Sequence, residues 1–216
     1  IYGGSGDTSI STAKGVVWGI KAAAKELLGE STLKNMKITI QGVGKVGSKL
    51  LEILVEEGAK LTITDKIYDR VKNIQDQYPN IQCVKPENIY KTDCDVFCPC
   101  AVNSLLTEKM IDQMQCKIIA GSANNCLASK DLYELLRKKG MWLIPSFIIN
   151  SGEIIQVSNE LNGYSIEKTE QELEDIYHIT SNIIQLSREQ KQPVSKIAMK
   201  LANEYTSSIS KVKMIK

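Results

Sequence analysis

The sequence predicts an α/β protein: a doubly wound parallel sheet with flanking helices, ending in two long C-terminal helices. Three observations carry that expectation. Short β-type runs alternate with helical stretches, no strand signal returns after Gly152, and a glycine-rich turn joins the first strand to the helix that follows it. The chain has 216 residues, 43% hydrophobic and 24% charged, which is ordinary for a globular protein and excludes disorder over its whole length. The expected organisation is one domain over residues 1–216, with residues 151–216 as its C-terminal helices.

Each element has its own signal. From Ser9 to Leu28 the apolar residues Ala13, Val16, Val17, Ile20, Ala24, Leu27 and Leu28 recur at helical spacing, and Gly29 stands where a C-terminal cap belongs. Lys37–Gln41 reads as a strand, Val46–Glu57 as a helix stopped by Gly58, and Lys60–Thr64 as a second strand ending at Asp65. A short amphipathic stretch, Asp69–Gln77, is broken by Pro79-Asn80. Further strands are expected at Ile81–Val84, Asp95–Cys98, Lys117–Ala120 and Met141–Ile144, with helices at Glu108–Met114 and Lys130–Lys138. Gly152–Leu161, Glu167–Glu189 and Val194–Lys211 read as helices, the last with a stripe of Ile197, Leu201, Ala202, Tyr205 and Ile209.

Charge and composition narrow the function classes. A net charge of +2 gives no broad electrostatic footprint for nucleic acid. No apolar run approaches the roughly 20 residues of a membrane span. The chain opens on Ile1 with no signal-peptide pattern, so the six cysteines read as reduced thiols and the expected location is cytoplasmic. Cys94, Cys98 and Cys100 lack the paired spacing and the histidines of a zinc site, so no metal is expected. The single histidine, His178, lies among Glu174, Asp175, Ser181 and Asn182 on a solvated helix face, which excludes a His-assisted nucleophile. Trp18 and Trp142 read as packing residues.

The chemistry concentrates at Gly42-Val43-Gly44-Lys45-Val46-Gly47. This G-x-G-x-x-G follows a strand directly, opens a helix, and is followed by an acid, Asp65, at the end of the next strand. That is the setting of a Rossmann-type dinucleotide turn. Gly42 permits the sharp turn, Gly44 admits the pyrophosphate, and Gly47 lets the helix pack on the sheet. The helix N-terminus presents N–H groups to the phosphates. Asp65 would accept hydrogen bonds from the adenosine ribose and repel a 2′-phosphate, which favours NAD over NADP. Lys66 beside it reads as a solvated lysine. A glycine turn that binds nothing, and a nucleoside-cofactor methyltransferase, are the rival readings. The absence of G-x-x-x-x-G-K-[ST] argues against a P-loop triphosphatase.

Further stretches then fall in one order: Gly4-Ser5-Gly6-Asp7, Thr12-Ala13-Lys14-Gly15-Val16, Gln41–Gly47, Asp95–Ala101, Ala120–Asn125 and Ile149–Gly152. Together they resemble the NAD-binding half of the glutamate/leucine/phenylalanine/valine dehydrogenase family, and the Gly-Ser-Gly-Asp stretch resembles its leucine branch. The resemblance implies reversible oxidative deamination of an L-amino acid, a branched-chain one for the leucine branch, to the 2-oxo acid and ammonia, in a homo-oligomer. It also implies an N-terminal substrate domain with catalytic lysines, expected to precede Ile1, since no Gly-Gly-Gly-Lys stretch occurs here.

Carried over residue by residue, the resemblance places Thr12 near the nicotinamide, with a hydroxyl bonded to its own helix as the alternative. Cys100 and Ala101 fall in the Pro-Cys-Ala loop beside the cofactor ribose. Asn124 falls near the nicotinamide ribose, and Asn150 near nicotinamide and substrate, with an N-cap of the following helix as a compatible second role. Ile154 and Val157 share a helix face and match positions lining an aliphatic substrate pocket, with core packing as the alternative. Lys45 stands where relatives carry Asn, Val102-Asn103-Ser104 where they carry a Leu-Gly-Gly type stretch, and Ser151 and Glu153 where they carry Ala and Gly. A non-catalytic or regulatory dinucleotide-binding module is the alternative function.

Overall fold

Ile38 and Ile40 are fully buried between Lys37 and the half-buried Gln41, and such a short apolar run is what a central parallel strand requires. The computed structural model describes residues 5–102, 105–161 and 163–213, and the side chains up to residue 208. Ile1, Gly4, Asn103, Ser104 and the Ile209 side chain lie outside the described residues.

The elements run α1 (Thr8–Leu28), β1 (Lys37–Gln41), α2 (Lys45–Glu56), β2 (Lys60–Thr64), α3 (Tyr68–Gln77), β3 (Gln82–Cys83), a 3-10 turn (Pro86–Lys91) and β4 (Val96–Pro99). They continue as α4 (Glu108–Gln113), β5 (Ile118–Ile119), α5 (Leu132–Lys138), β6 (Trp142–Leu143), α6 (Ser146–Ile149), α7 (Gly152–Glu160), α8 (Ile166–Gln190) and α9 (Val194–Lys213). All described strand pairs are parallel, in the order β3-β2-β1-β4-β5-β6. The order reverses between β1 and β4, so the doubly wound, Rossmann-type expectation holds.

Side chains alternate between two cores. Val96, Cys98 and Ile118 join α1, α2 and α8 on one face of the sheet. Phe97 and Ile119 join Ile89, Ile111, Met114 and Leu136 on the other. A strand buried on both faces shows no polar alternation, which is why these runs read as continuous apolar segments. Trp18 and Trp142 are partly buried against the cores, as expected.

Several elements differ from the sequence expectation. The edge strands β3 and β6, and β5 inside β6, shrink to two residues, because the ladder pairs only there while loops and caps take the flanking positions. α6 and the 3-10 turn carry no readable stripe, since each is shorter than two helical turns. Ser151, not Asn150, is the N-cap of α7, and Asn150 ends α6 instead. Among the described side chains of α9 the first turns pack: Ile197 is buried and Leu201 partly so, while Ala202 and Tyr205 are exposed. Among the described residues no helix is long and apolar enough to cross a membrane, and no group of His, Cys, Asp and Glu is arranged to hold a metal.

Candidate functional site

The carboxyl ends of β1, β2, β4, β5 and β6 all open onto one edge of the sheet, and the segments that leave them carry Gly42–Gly47, Asp65, Cys100, Ala101, Asn124 and Asn150. The turn after β1 has two glycines that the fold itself demands. Gly42 has φ +96°, and a Cβ on it would lie 2.7 Å from Ala101. A Cβ on Gly47 would lie 2.0 Å from the Gly42 carbonyl oxygen. Gly44 is different. Its φ is −75°, open to any residue, and an added Cβ would meet nothing nearer than Nη1 of Arg70 at 3.5 Å. The protein's own packing gives no reason for glycine at 44. Val43 is buried and Val46 packs on the core, so this short loop is held from beneath. Lys45 begins α2 and is exposed.

Asp65 leaves β2 with its side chain 8% exposed. Oδ2 accepts the Val43 N–H at 2.9 Å and Oδ1 accepts the Ile67 N–H at 2.8 Å. A carboxylate has about four acceptor positions, so two hydrogen bonds leave room for ligand hydroxyls. The Arg70 guanidinium stands 3.6 Å from Oδ2, an ion pair rather than a hydrogen bond. The sequence reading missed Arg70. Its signal was present: it lies in the first turn of the helix that follows Asp65.

The remaining residues join this row through direct contacts. Ala101 closes over Gly42, and the neighbouring Cys100 thiol is pushed up by burial, with a Ser122 hydrogen bond acting against it. Asn150 Nδ2 donates to the Ser122 carbonyl at 3.1 Å and to Asn124 Oδ1 at 2.8 Å. Ser146 Oγ also approaches Asn124 Oδ1, at 3.4 Å. The two asparagines thus form one polar corner after β5 and β6. Gly152 then brings α7 against α1, where an added Cβ would lie 2.8 Å from the Thr12 N–H nitrogen. Thr12 itself is 7% exposed, and its hydroxyl donates to the Thr8 carbonyl at 3.1 Å, the alternative the sequence left open. Ile154 is 72% exposed and Val157 44%, so neither is a core residue and both present apolar surface on α7.

α7 is fixed by a polar clamp that the sequence reading did not foresee. Gln156 is buried, accepts from Ser11 Oγ at 2.5 Å, and donates to Ser5 Oγ at 2.6 Å. Glu160 accepts from the N–H and hydroxyl of Ser5, and those bonds hold its carboxyl below the usual range. A separate basin of about 990 Å³ lies at the amino ends of β1 and β2, beside Lys37, Lys60, Tyr78 and Asp93. None of the row's residues line it, and ligands of open α/β sheets bind at the opposite end of the strands.

The model of the glutamate/leucine/phenylalanine/valine dehydrogenase family matches residues 3–66 and 61–213. The chain belongs to this family. Among its relatives, phenylalanine dehydrogenase of Thermoactinomyces intermedius is 36% identical over 99% of this chain and 59% of its own length. Leucine dehydrogenase of Geobacillus stearothermophilus is 34% identical over 98% of this chain and 58% of its own. The crystal structure of L-tryptophan dehydrogenase from Nostoc punctiforme superposes with a TM-score of 0.90 at 33% identity, over 96% of this chain and 63% of that one. Hetero-hexameric glutamate dehydrogenase of Thermus thermophilus shares the fold at a TM-score of 0.76 and 17% identity. The chain therefore spans a little under three-fifths of the length of these curated relatives.

Proposed function

We propose that the chain is the NAD-binding half of an L-amino acid dehydrogenase that oxidatively deaminates a branched-chain substrate. Gly44 carries this reading. It is a glycine that neither backbone strain nor internal packing requires, placed at the mouth of a strand–turn–helix whose first N–H groups suit a pyrophosphate. In this reading the Gly42–Gly47 turn, with Val43, Lys45 and Val46, cradles the phosphates, and Asp65 accepts from the adenosine ribose. Cys100, Ala101 and Asn124 border the nicotinamide ribose. Thr12 and Asn150 lie at the nicotinamide, which supplies the hydride acceptor when bound. Ile154 and Val157 meet an aliphatic side chain. Their exposure, together with that of Phe147 and Leu161, supports a facing substrate domain in the whole protein. The whole enzyme is proposed to be cytoplasmic and oligomeric, as its hexameric structural relative is named.

The test separates Gly44 from its neighbours. Gly44→Ala should leave the unfolding free energy within about 1 kcal/mol, since its φ is ordinary and the site of the new methyl is open. It should still lower NADH affinity about tenfold or more, the equivalent of about 1.4 kcal/mol. Gly47→Ala should instead destabilise the fold, because its methyl meets backbone at 2.0 Å. An unmodified chain that binds no NADH in a calorimetric titration, or a Gly44→Ala variant that binds it equally well, would defeat the proposal.

A further inference from the structure

The adenosine end of the site holds one group that the reading above leaves unused. Arg70 sits in the first turn of α3, with its side chain 47% exposed and its guanidinium 3.6 Å from Asp65 Oδ2. Nη1 also lies at van der Waals distance from the place a Gly44 side chain would occupy. The guanidinium therefore stands between the phosphate turn and the ribose acid. Among the described residues it donates no hydrogen bond, since 3.6 Å is too long for one. A guanidinium has five N–H donors in a planar fork that fits phosphate oxygens two at a time. Asp65, by contrast, is already turned inward, with one oxygen on Val43 N–H and the other on Ile67 N–H.

These positions decide a balance of charges. A lone carboxylate at the end of β2 repels the dianionic 2′-phosphate of NADP(H). Here a half-exposed cation is paired with that carboxylate, its guanidinium free of hydrogen bonds among the described residues. Lys66, exposed and adjacent in the chain, adds to the positive potential on the same side. We infer that Arg70 is a second cofactor-reading residue, which lets the site accept the 2′-phosphorylated dinucleotide NADP(H) alongside NAD(H). The inference rests on the dinucleotide site proposed above and assigns its specificity.

The experiment measures dissociation constants for NADH and NADPH on the unmodified 216-residue chain and on Arg70→Ala and Arg70→Lys, at low and physiological salt. NADPH is expected to bind the unmodified chain, more weakly than NADH. In Arg70→Ala the NADPH-to-NADH affinity ratio should fall about tenfold, a typical scale for losing a charge-assisted phosphate contact. Arg70→Lys should recover part of that ratio, keeping the charge but not the fork. The gap between the unmodified chain and Arg70→Ala should narrow as salt rises, because the site is half exposed. Equal losses for both dinucleotides in Arg70→Ala would make Arg70 a support for Asp65 and overturn the inference. So would NADH binding with no NADPH binding by the unmodified chain. Loss of binding for both dinucleotides by the unmodified chain would overturn the proposed function itself, and this inference with it.

Discussion

Cys126 is 7% exposed, and burial pushes its thiol from 9.0 to about 11. The folded chain therefore holds this proton over a range where the unfolded chain releases it. Stability attached to the neutral thiol is fully present below the unfolded value and is lost as pH rises from about 9 to 11. A two-unit difference corresponds to about 2.7 kcal/mol at most. Burial pushes the Cys98 thiol in the same direction. Urea unfolding at pH 8 and at pH 10.5 should show a smaller alkaline loss for Cys126→Ala than for the unmodified chain, by about 2 kcal/mol. Equal losses would show that this thiol does not titrate as its burial requires. At this scale the sequence revealed identities better than partners. Gly42 and Gly47 were legible because a sharp turn and a close helix contact both follow from the strand–turn–helix order. For Arg70 the sequence shows only its place in the first turn of the helix after Asp65; that its guanidinium lands 3.6 Å from that acid, five residues earlier, is a matter of the fold. Asn150 is a similar case: the resemblance singles it out for the nicotinamide end, with a cap as its second role, and only the fold places Ser122 and Asn124 within reach of its amide.

At the scale of elements, the contact between α1 and α7 shapes the end of the site proposed to take the nicotinamide. Small residues let the helices approach, and Gln156 ties them with hydrogen bonds to Ser5 and Ser11. Gln156 is 3% exposed and Ser11 7%, so removing the amide leaves a buried hydroxyl and a backbone carbonyl without these partners. Gln156→Ala should cost about 2–4 kcal/mol, combining the lost bonds with desolvated groups left unpaired. It should also speed proteolysis ahead of α1, where Ser5 loses the Gln156 contacts and is left with its bonds to Glu160. A stability change below about 0.5 kcal/mol would mean that water replaces the clamp. The long elements were read from sequence nearly to their ends, with β1 and β2 matching residue for residue. Period is informative when an element spans two or more turns or a full buried run. It fails for α6, with four residues, and for the two-residue strands, whose limits are set by their neighbours. α9 shows the reverse error: the stripe continues along the helix, but among the described side chains Val194, Ile197, Ala198 and Leu201 pack while Ala202 and Tyr205 are exposed.

For the whole molecule, the separation of binding from proton transfer yields the last prediction. The described crevice gathers glycines, amides, hydroxyls, a buried thiol, one carboxylate and the cations of Lys45 and Arg70, groups that the proposed reading uses to bind and orient. The single histidine is exposed on α8 with its ring against Tyr177, on an element that packs against α1 rather than lining the strand ends. A general base must come within about 2.6–3.2 Å of the proton it removes. The family resemblance assigns that base to a lysine of the substrate domain, and no stretch here matches its surroundings. Correct placement of reactants and catalytic groups can supply roughly 7–11 kcal/mol of barrier reduction. On the proposed reading the chain supplies only the cofactor side and forgoes most of it, while the Gly42–Gly47 turn and Asp65 keep the contacts proposed for binding. This 216-residue chain should therefore bind NADH in calorimetry yet show no steady-state oxidation of L-leucine, L-valine or L-isoleucine with NAD. Supplying the facing domain, as a longer chain or a separate fragment, should restore turnover with no change to the residues described. Measurable deamination by the 216-residue chain alone would place a proton-transfer group among its own residues and refute this division of labour.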